Sequence, residues 1–188
     1  MPAALLILAS ASPRRLDLLR QIGIEPATVD PAELDETPLP RELPRAYALR
    51  MATAKLAVVA PRHPGALVLA ADSVVAVGRR ILPKAETERE ARACLALMSG
   101  RRHHVLGGVA IGLEGRVRTR LVETVVRFKR LEAAEIDGYI EGGEWRGKAG
   151  GYAIQGAAAA FVAFISGSYS NVVGLPLFET GQLVKSMR

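Results

Sequence analysis

The chain has 188 residues, about one domain's worth and enough to bury a sizeable core, and with 49% hydrophobic and 23% charged residues it contains no run approaching the roughly 18 apolar residues of a membrane span. Its formal net charge is +6, from 25 Lys and Arg against 19 Asp and Glu, yet the cations are dispersed and aromatics make up only 5%, so a nucleic-acid surface is not expected. The single cysteine, Cys94, excludes an internal disulfide and reads as a small buried hydrophobe beside Ala91, Leu95 and Leu97, in keeping with a reducing cytoplasm.

The opening "MPAALLILASA" imitates a secretion signal but has no Lys or Arg ahead of its apolar stretch. Within it "LLILA" reads as a strand buried on both faces, which passes through "SASPRR" into a helix predicted over residues 13–22. Ser12 is placed to cap that helix, Pro13 takes its first position, and Leu16, Leu19 and Ile22 form an apolar stripe. Arg14 and Arg15 then fall in the first turn. The helix dipole is positive there, so each cation costs roughly 0.3–1 kcal/mol unless an anion arrives. A phosphate would find free backbone N–H groups, the Ser10 and Ser12 hydroxyls and two guanidinium groups. The plainer alternative is a cap flanked by two solvated arginines. Consecutive helical residues diverge by about 100 degrees, so both arginines serve one ligand only if it is extended, as a triphosphate is.

Further along, "DPAELDETP" places Asp30, Glu33, Asp35 and Glu36 in a proline-flanked loop able to offer an oxygen ligand to a hard cation. A helix over residues 43–60, with Pro44 in its first turn, carries Lys55. The strand "ALVLAAD" delivers Asp72 and Ser73 to its carboxyl end, where a carboxylate beside a hydroxyl suits metal binding or deprotonation of a water, though Asp also simply ends strands. "VVAVGRRIL" reads as two strands around a glycine turn, with Lys84 directly after, and a helix over residues 86–98 follows, stopped by Gly100. A long hairpin over residues 103–128, turning at Glu114 and Gly115, makes the sheet mixed. After a helix over residues 133–141 stopped by Gly142, "RGKAGGYAIQG" combines Lys148 with glycines and with Gln155, whose amide has the donor and acceptor needed to read a base edge. The strand "FVAFI" and a helix over residues 176–185 complete the pattern.

Other chemistries are not indicated. "GGEWRGKA" satisfies the spacing of a phosphate loop, but Ala149 stands where the magnesium-binding hydroxyl belongs and a helix precedes it instead of a strand. His63, His103 and His104 lack partners at zinc-site spacing, and no serine sits in a G-x-S-x-G elbow.

Together, "LASASPRR", "LDETP", the helical Lys55, "AADSVV", "ILPK", "MSGRRHHV", "KAGGYAIQG" and "ISGSYSNVVGLPL" resemble the Maf family in order and spacing over nearly the whole chain. The resemblance implies one Maf/ITPase-like domain over residues 1–188, with an elongated mixed β-sheet and flanking helices forming two lobes around a central cleft. It implies a nucleoside triphosphate pyrophosphatase using Mg²⁺ or Mn²⁺, a cytoplasmic homodimer with no nucleic-acid or membrane partner. Carried over position by position, Asp72 matches the catalytic carboxylate, and Ser10, Arg14, Arg15, Lys55 and Lys84 match substrate-binding positions. Glu36, with Asp72, matches the metal site, and Arg14, Ser73 and Gln155 match positions linked to base specificity. "AIQG" resembles the branch acting on dTTP and UTP, not the 7-methyl-GTP branch, which carries a Glu there. Ser73 departs from the family's usual Thr, and Ala85 from its usual Pro, which would loosen the hold on Lys84. The competing class is a non-catalytic nucleotide-binding regulator of cell division.

Overall fold

The structure, a computed structural model, describes residues 4–187, so the first three residues of the apolar opening and the last residue of the chain lie outside it. Apolar side chains at both parities of the first run make β1 (Leu6–Ala9), buried throughout, with Leu6 and Leu8 in one core and Ile7 and Ala9 in another. It lies parallel to both β2 (Thr28–Val29) and β3 (Leu67–Val77). The remaining strands are antiparallel: β4 (Arg80–Leu82) on β3, then β6 (Arg102–Leu113), β7 (Arg116–Phe128) and β9 (Val162–Ser166) in succession. The result is a seven-stranded mixed sheet in the order β2-β1-β3-β6-β7-β9, with β4 also on β3 and a separate two-stranded clip made by β5 (Lys84–Ala85) and β8 (Lys148–Ala149). At the hairpin turn Glu114 and Gly115 have φ of 49° and 79°, the positive pair that a two-residue turn demands.

Helices cover both faces. On one, α1 (Pro13–Gln21) and α6 (Leu177–Met187) bury Leu18, Leu19, Leu183 and Val184 against Leu67, Leu69, Val109 and Ile111. On the other, α2 (Pro44–Val59) packs Ala52, Leu56 and Val59 on Val68, Ala70 and Ala110. It lies so close that a Cβ at Gly108 would stand 2.1 Å from the Ala48 carbonyl oxygen. A further core gathers Val75, Leu95, Val105, Phe128 and Trp145 beneath α3 (Glu88–Met98) and α4 (Ala133–Glu141). Cys94 is buried there, as expected.

One irregularity positions the site. β6 accompanies β3 from Val68 to Ala76 on one edge, but on the other β1 pairs only with Leu67–Ala70 and β4 only with Val75–Val77, so residues 71–74 of that edge have no strand beside them. Asp72 and Ser73 lie in this gap, in mid-strand and not at the strand end expected for them. Their side chains point to opposite faces of the sheet, because successive strand residues alternate.

Candidate active site

The gap opens into a cavity of about 400 Å³ whose walls include the sequence-flagged residues Ser10, Arg14, Arg15, Glu36, Lys55, Asp72, Ser73, Lys84 and Gln155. On the α2 side, Lys55 is buried and its Nζ lies 2.6 Å from Asp72 Oδ1 and 2.7 Å from Glu36 Oε1. Lys84 pairs with the other oxygen of Glu36. Burial would raise the Glu36 carboxyl, but hydrogen bonds from the two lysines and their charges outweigh it and hold the group at about 2. Of the acidic loop's four carboxylates only Glu36 reaches the cavity. Asp30 is held by Arg62 and His63, Asp35 accepts the Thr37 backbone N–H, and Glu33 is exposed.

The loop owes its course to α2 and the turn beyond it. The Tyr47 hydroxyl donates to the Glu36 carbonyl at 2.6 Å, and Arg50 donates to Glu42 at 2.6 and 2.7 Å and to the Thr37 carbonyl. Arg62 and His63 fix its start at Asp30. A segment without regular structure is thereby strapped along a helix, which brings Glu36 within reach of Lys55.

On the α1 side the arrangement differs from the expected cap. Ser12 makes no capping bond through its side chain; its N–H donates to the Ser10 hydroxyl. Arg15 takes the inner face of α1 beside Leu18 and Leu19 while Ile22 is 39% exposed, so the expected stripe is rotated toward Arg15. The Arg15 guanidinium donates to the Ser10 hydroxyl at 2.9 Å, the Ser73 hydroxyl at 3.1 Å and the Gly174 carbonyl at 2.9 Å. Burial pushes it below the usual arginine range, partly opposed by the charge of Asp72. Arg14 donates through Nε to the Val173 carbonyl alone, so its terminal nitrogens remain for a ligand. Val173 closes α5 (Tyr169–Val173), a helix too short for periodicity to announce.

A small buried carboxylate–lysine cluster and a set of unneutralised arginines therefore face each other across the gap, from segments scattered between residues 10 and 155. The same segments carry the family motifs, and a family model described as Maf-like protein matches residues 5–187. The chain belongs to the Maf family. Among its relatives, the dTTP/UTP pyrophosphatase of Paramagnetospirillum magneticum is 65% identical, covering 96% of each chain. That of Rhodospirillum rubrum is 64% identical over 95% of this chain and 86% of its own, and that of Caulobacter vibrioides 63% identical over 97% and 95%.

Both Maf departures have a local account. The Ser73 hydroxyl accepts from Arg15 and donates to the Gly174 carbonyl at 3.3 Å, so its hydrogen bonds are made within the protein. Ala85 is fully buried and its carbonyl accepts the Gly147 N–H at 2.9 Å, so packing and the ladder to β8 hold the Lys84 segment without a proline. Arg146, Lys148 and Tyr152 also line the cavity but were absent from the expected site. Lys148 stands in the glycine-rich stretch and the family motif noted above, while the only signal for Arg146 was the rejected phosphate-loop spacing.

Proposed function

We propose that the chain hydrolyses dTTP and UTP to the monophosphate and pyrophosphate, in a cleft between two lobes that meet at the gap in the sheet. The observation that carries this is the convergence of Asp72, Glu36, Lys55, Lys84 and Arg14 on one cavity, in a chain whose 63–65% identical relatives are named for that reaction. In this reading Asp72 takes a proton from a water as its oxygen attacks the α-phosphorus. The α–β bridging bond breaks, and the pyrophosphate departs with the bonding electrons. Arg14 and Lys84 offset charge that builds on the transferred and leaving groups, while Lys55 holds Asp72 and Glu36 in register.

Glu36 and Asp72 suit a divalent cation of the magnesium type, which takes one or two carboxylates and completes its shell with substrate phosphate oxygens and water. Such an ion would supply charge neutralisation and polarise phosphoryl oxygens. Among the described residues no group of three or more His, Cys, Asp or Glu could hold a metal, so Glu36 and Asp72 are the two carboxylates the cavity would offer to one. Gln155 is exposed at the cavity wall, with its amide available to a pyrimidine edge, and Ser73 acts on specificity through Arg15 and Gly174. Pyrophosphate release by the purified chain, assayed with pyrimidine and purine triphosphates and Mg²⁺ or Mn²⁺, tests the reading. Turnover of dTTP and UTP that is lost in Asp72→Asn is expected. Nucleotide binding without release from any triphosphate would favour the regulator instead.

A further inference from the structure

Four of the cations that line the cavity fall into two pairs. Lys55 and Lys84 are paired with its two acidic residues, Glu36 and Asp72. Arg14 and Lys148 share the cavity and repel one another, and neither meets a carboxylate: each donates to a backbone carbonyl, of Val173 and Arg146 respectively. Burial pushes the Lys148 ammonium below its usual range and the Arg14 charge lowers it further, with the charge of Glu144 acting the other way.

The backbone is built to hold Lys148 there. It sits in β8, between Gly147 and Gly150, whose φ of 63° and 67° suit glycine. Their N–H groups donate to the Ala85 and Pro83 carbonyls, both at 2.9 Å, clipping the turn to β5. A Cβ at Gly150 would stand 2.9 Å from Val75 Cγ1, so only glycine lets the segment lie this close to β3. At the rim, Arg146 is exposed and stacks over the buried Trp145 ring at 4.5 Å, which orients its guanidinium without neutralising it. Arg14 and Lys148 are thus like charges on one cavity whose repulsion Glu144 offsets only in part, and an anion shared between them would relieve it.

We propose that Lys148, with Arg146 at the rim, receives the pyrophosphate end of the substrate opposite Arg14, and so holds the leaving group and not the monophosphate. The assignment rests on the hydrolytic reading above and names the substrate moiety that this wall recognises.

Binding of inorganic pyrophosphate and, separately, of dTMP to the full chain, measured by calorimetry for the wild type, Lys148→Met and Lys148→Arg, tests it. Lys148→Met keeps the aliphatic stem and is expected to weaken pyrophosphate binding at least ~10-fold, the loss of one charge-assisted bond, with dTMP binding unchanged. Lys148→Arg is expected to restore most of the pyrophosphate affinity. Unchanged pyrophosphate binding in Lys148→Met, or equal weakening of both ligands, would overturn the assignment. A wild type that binds pyrophosphate through Lys148 yet releases none from dTTP would sink the hydrolytic reading while supporting this one.

Discussion

Arg15 and Tyr47 make their hydrogen bonds within the protein. Arg15 is a buried cation whose three partners are the residue after β1, a residue of β3 and the turn after α5, so deleting it takes one hydrogen bond from each of two hydroxyls and a carbonyl at once. Arg15→Ala is expected to cost on the order of 3 kcal/mol in urea unfolding, since bonds to charged groups contribute about 1.5–3 kcal/mol each and their losses overlap. Arg14→Ala removes a half-buried side chain with one carbonyl partner. Its expected effect is a higher KM for dTTP with little change in the unfolding midpoint. Tyr47 holds the carbonyl of Glu36; burial, then the charges of Asp72 and Glu36, push its phenol up to about 12, so it remains a donor. Tyr47→Phe frees the strap at its middle, and the expected result is a higher metal concentration for half-maximal turnover of dTTP, with far-UV circular dichroism unchanged.

At the scale of elements, α2 is both a layer of the core and the platform for Lys55, Tyr47 and Arg50. Gly108→Ala drives a methyl into the Ala48 carbonyl, so the helix must lift from the sheet. A loss of about 1–3 kcal/mol is expected from such overpacking, with a disproportionate loss of turnover because Lys55 moves away from Asp72; thermal unfolding and dTTP assays on one preparation separate the two. The long elements were legible in the sequence because each has its own period. The helix over residues 133–141 and the hairpin turn at Glu114 stand as expected and the other helices shift by only a residue or two, while β3 runs on past Asp72 to Val77. What was not legible lacks a period. β2, β5 and β8 are two residues long and exist only by pairing, and α5 is a single turn capped by Ser168. That the flagged residues share one cavity was legible from motif order, but their sidedness was not. No local pattern says that β1 stops at Ala70's level and leaves Asp72 and Ser73 open on two faces, or that Arg15 turns inward where Ile22 was expected.

For the whole molecule, pH is the lever that reaches furthest. His103 is fully buried beside Phe128, with Nε2 2.9 Å from the Tyr152 hydroxyl, and desolvation, with a smaller contribution from His104, pushes it down from 6.5 to about 4. The unfolded chain then binds more protons between those values, so stability is full above pH 6.5 and falls as pH drops toward 4, by on the order of 3 kcal/mol. Glu36 adds a second window lower down: its folded value lies below the unfolded one, so its contribution is present above about 4.5 and is lost toward 2. His103→Gln is expected to flatten the upper window only, and Glu36→Gln the lower, when the urea midpoint is followed against pH. The Arg15 clamp joins residues 159 positions apart, as does the bond from Arg14 to Val173. Synthesis proceeds from the amino end, so the turn that carries Arg14 and Arg15 is made first and waits for almost the entire chain to emerge before its arginines are seated. An incomplete polypeptide ending short of Gly174 therefore carries every acidic and lysine residue of the cavity and still lacks the backbone that aims its guanidiniums, a built-in silence of unfinished copies.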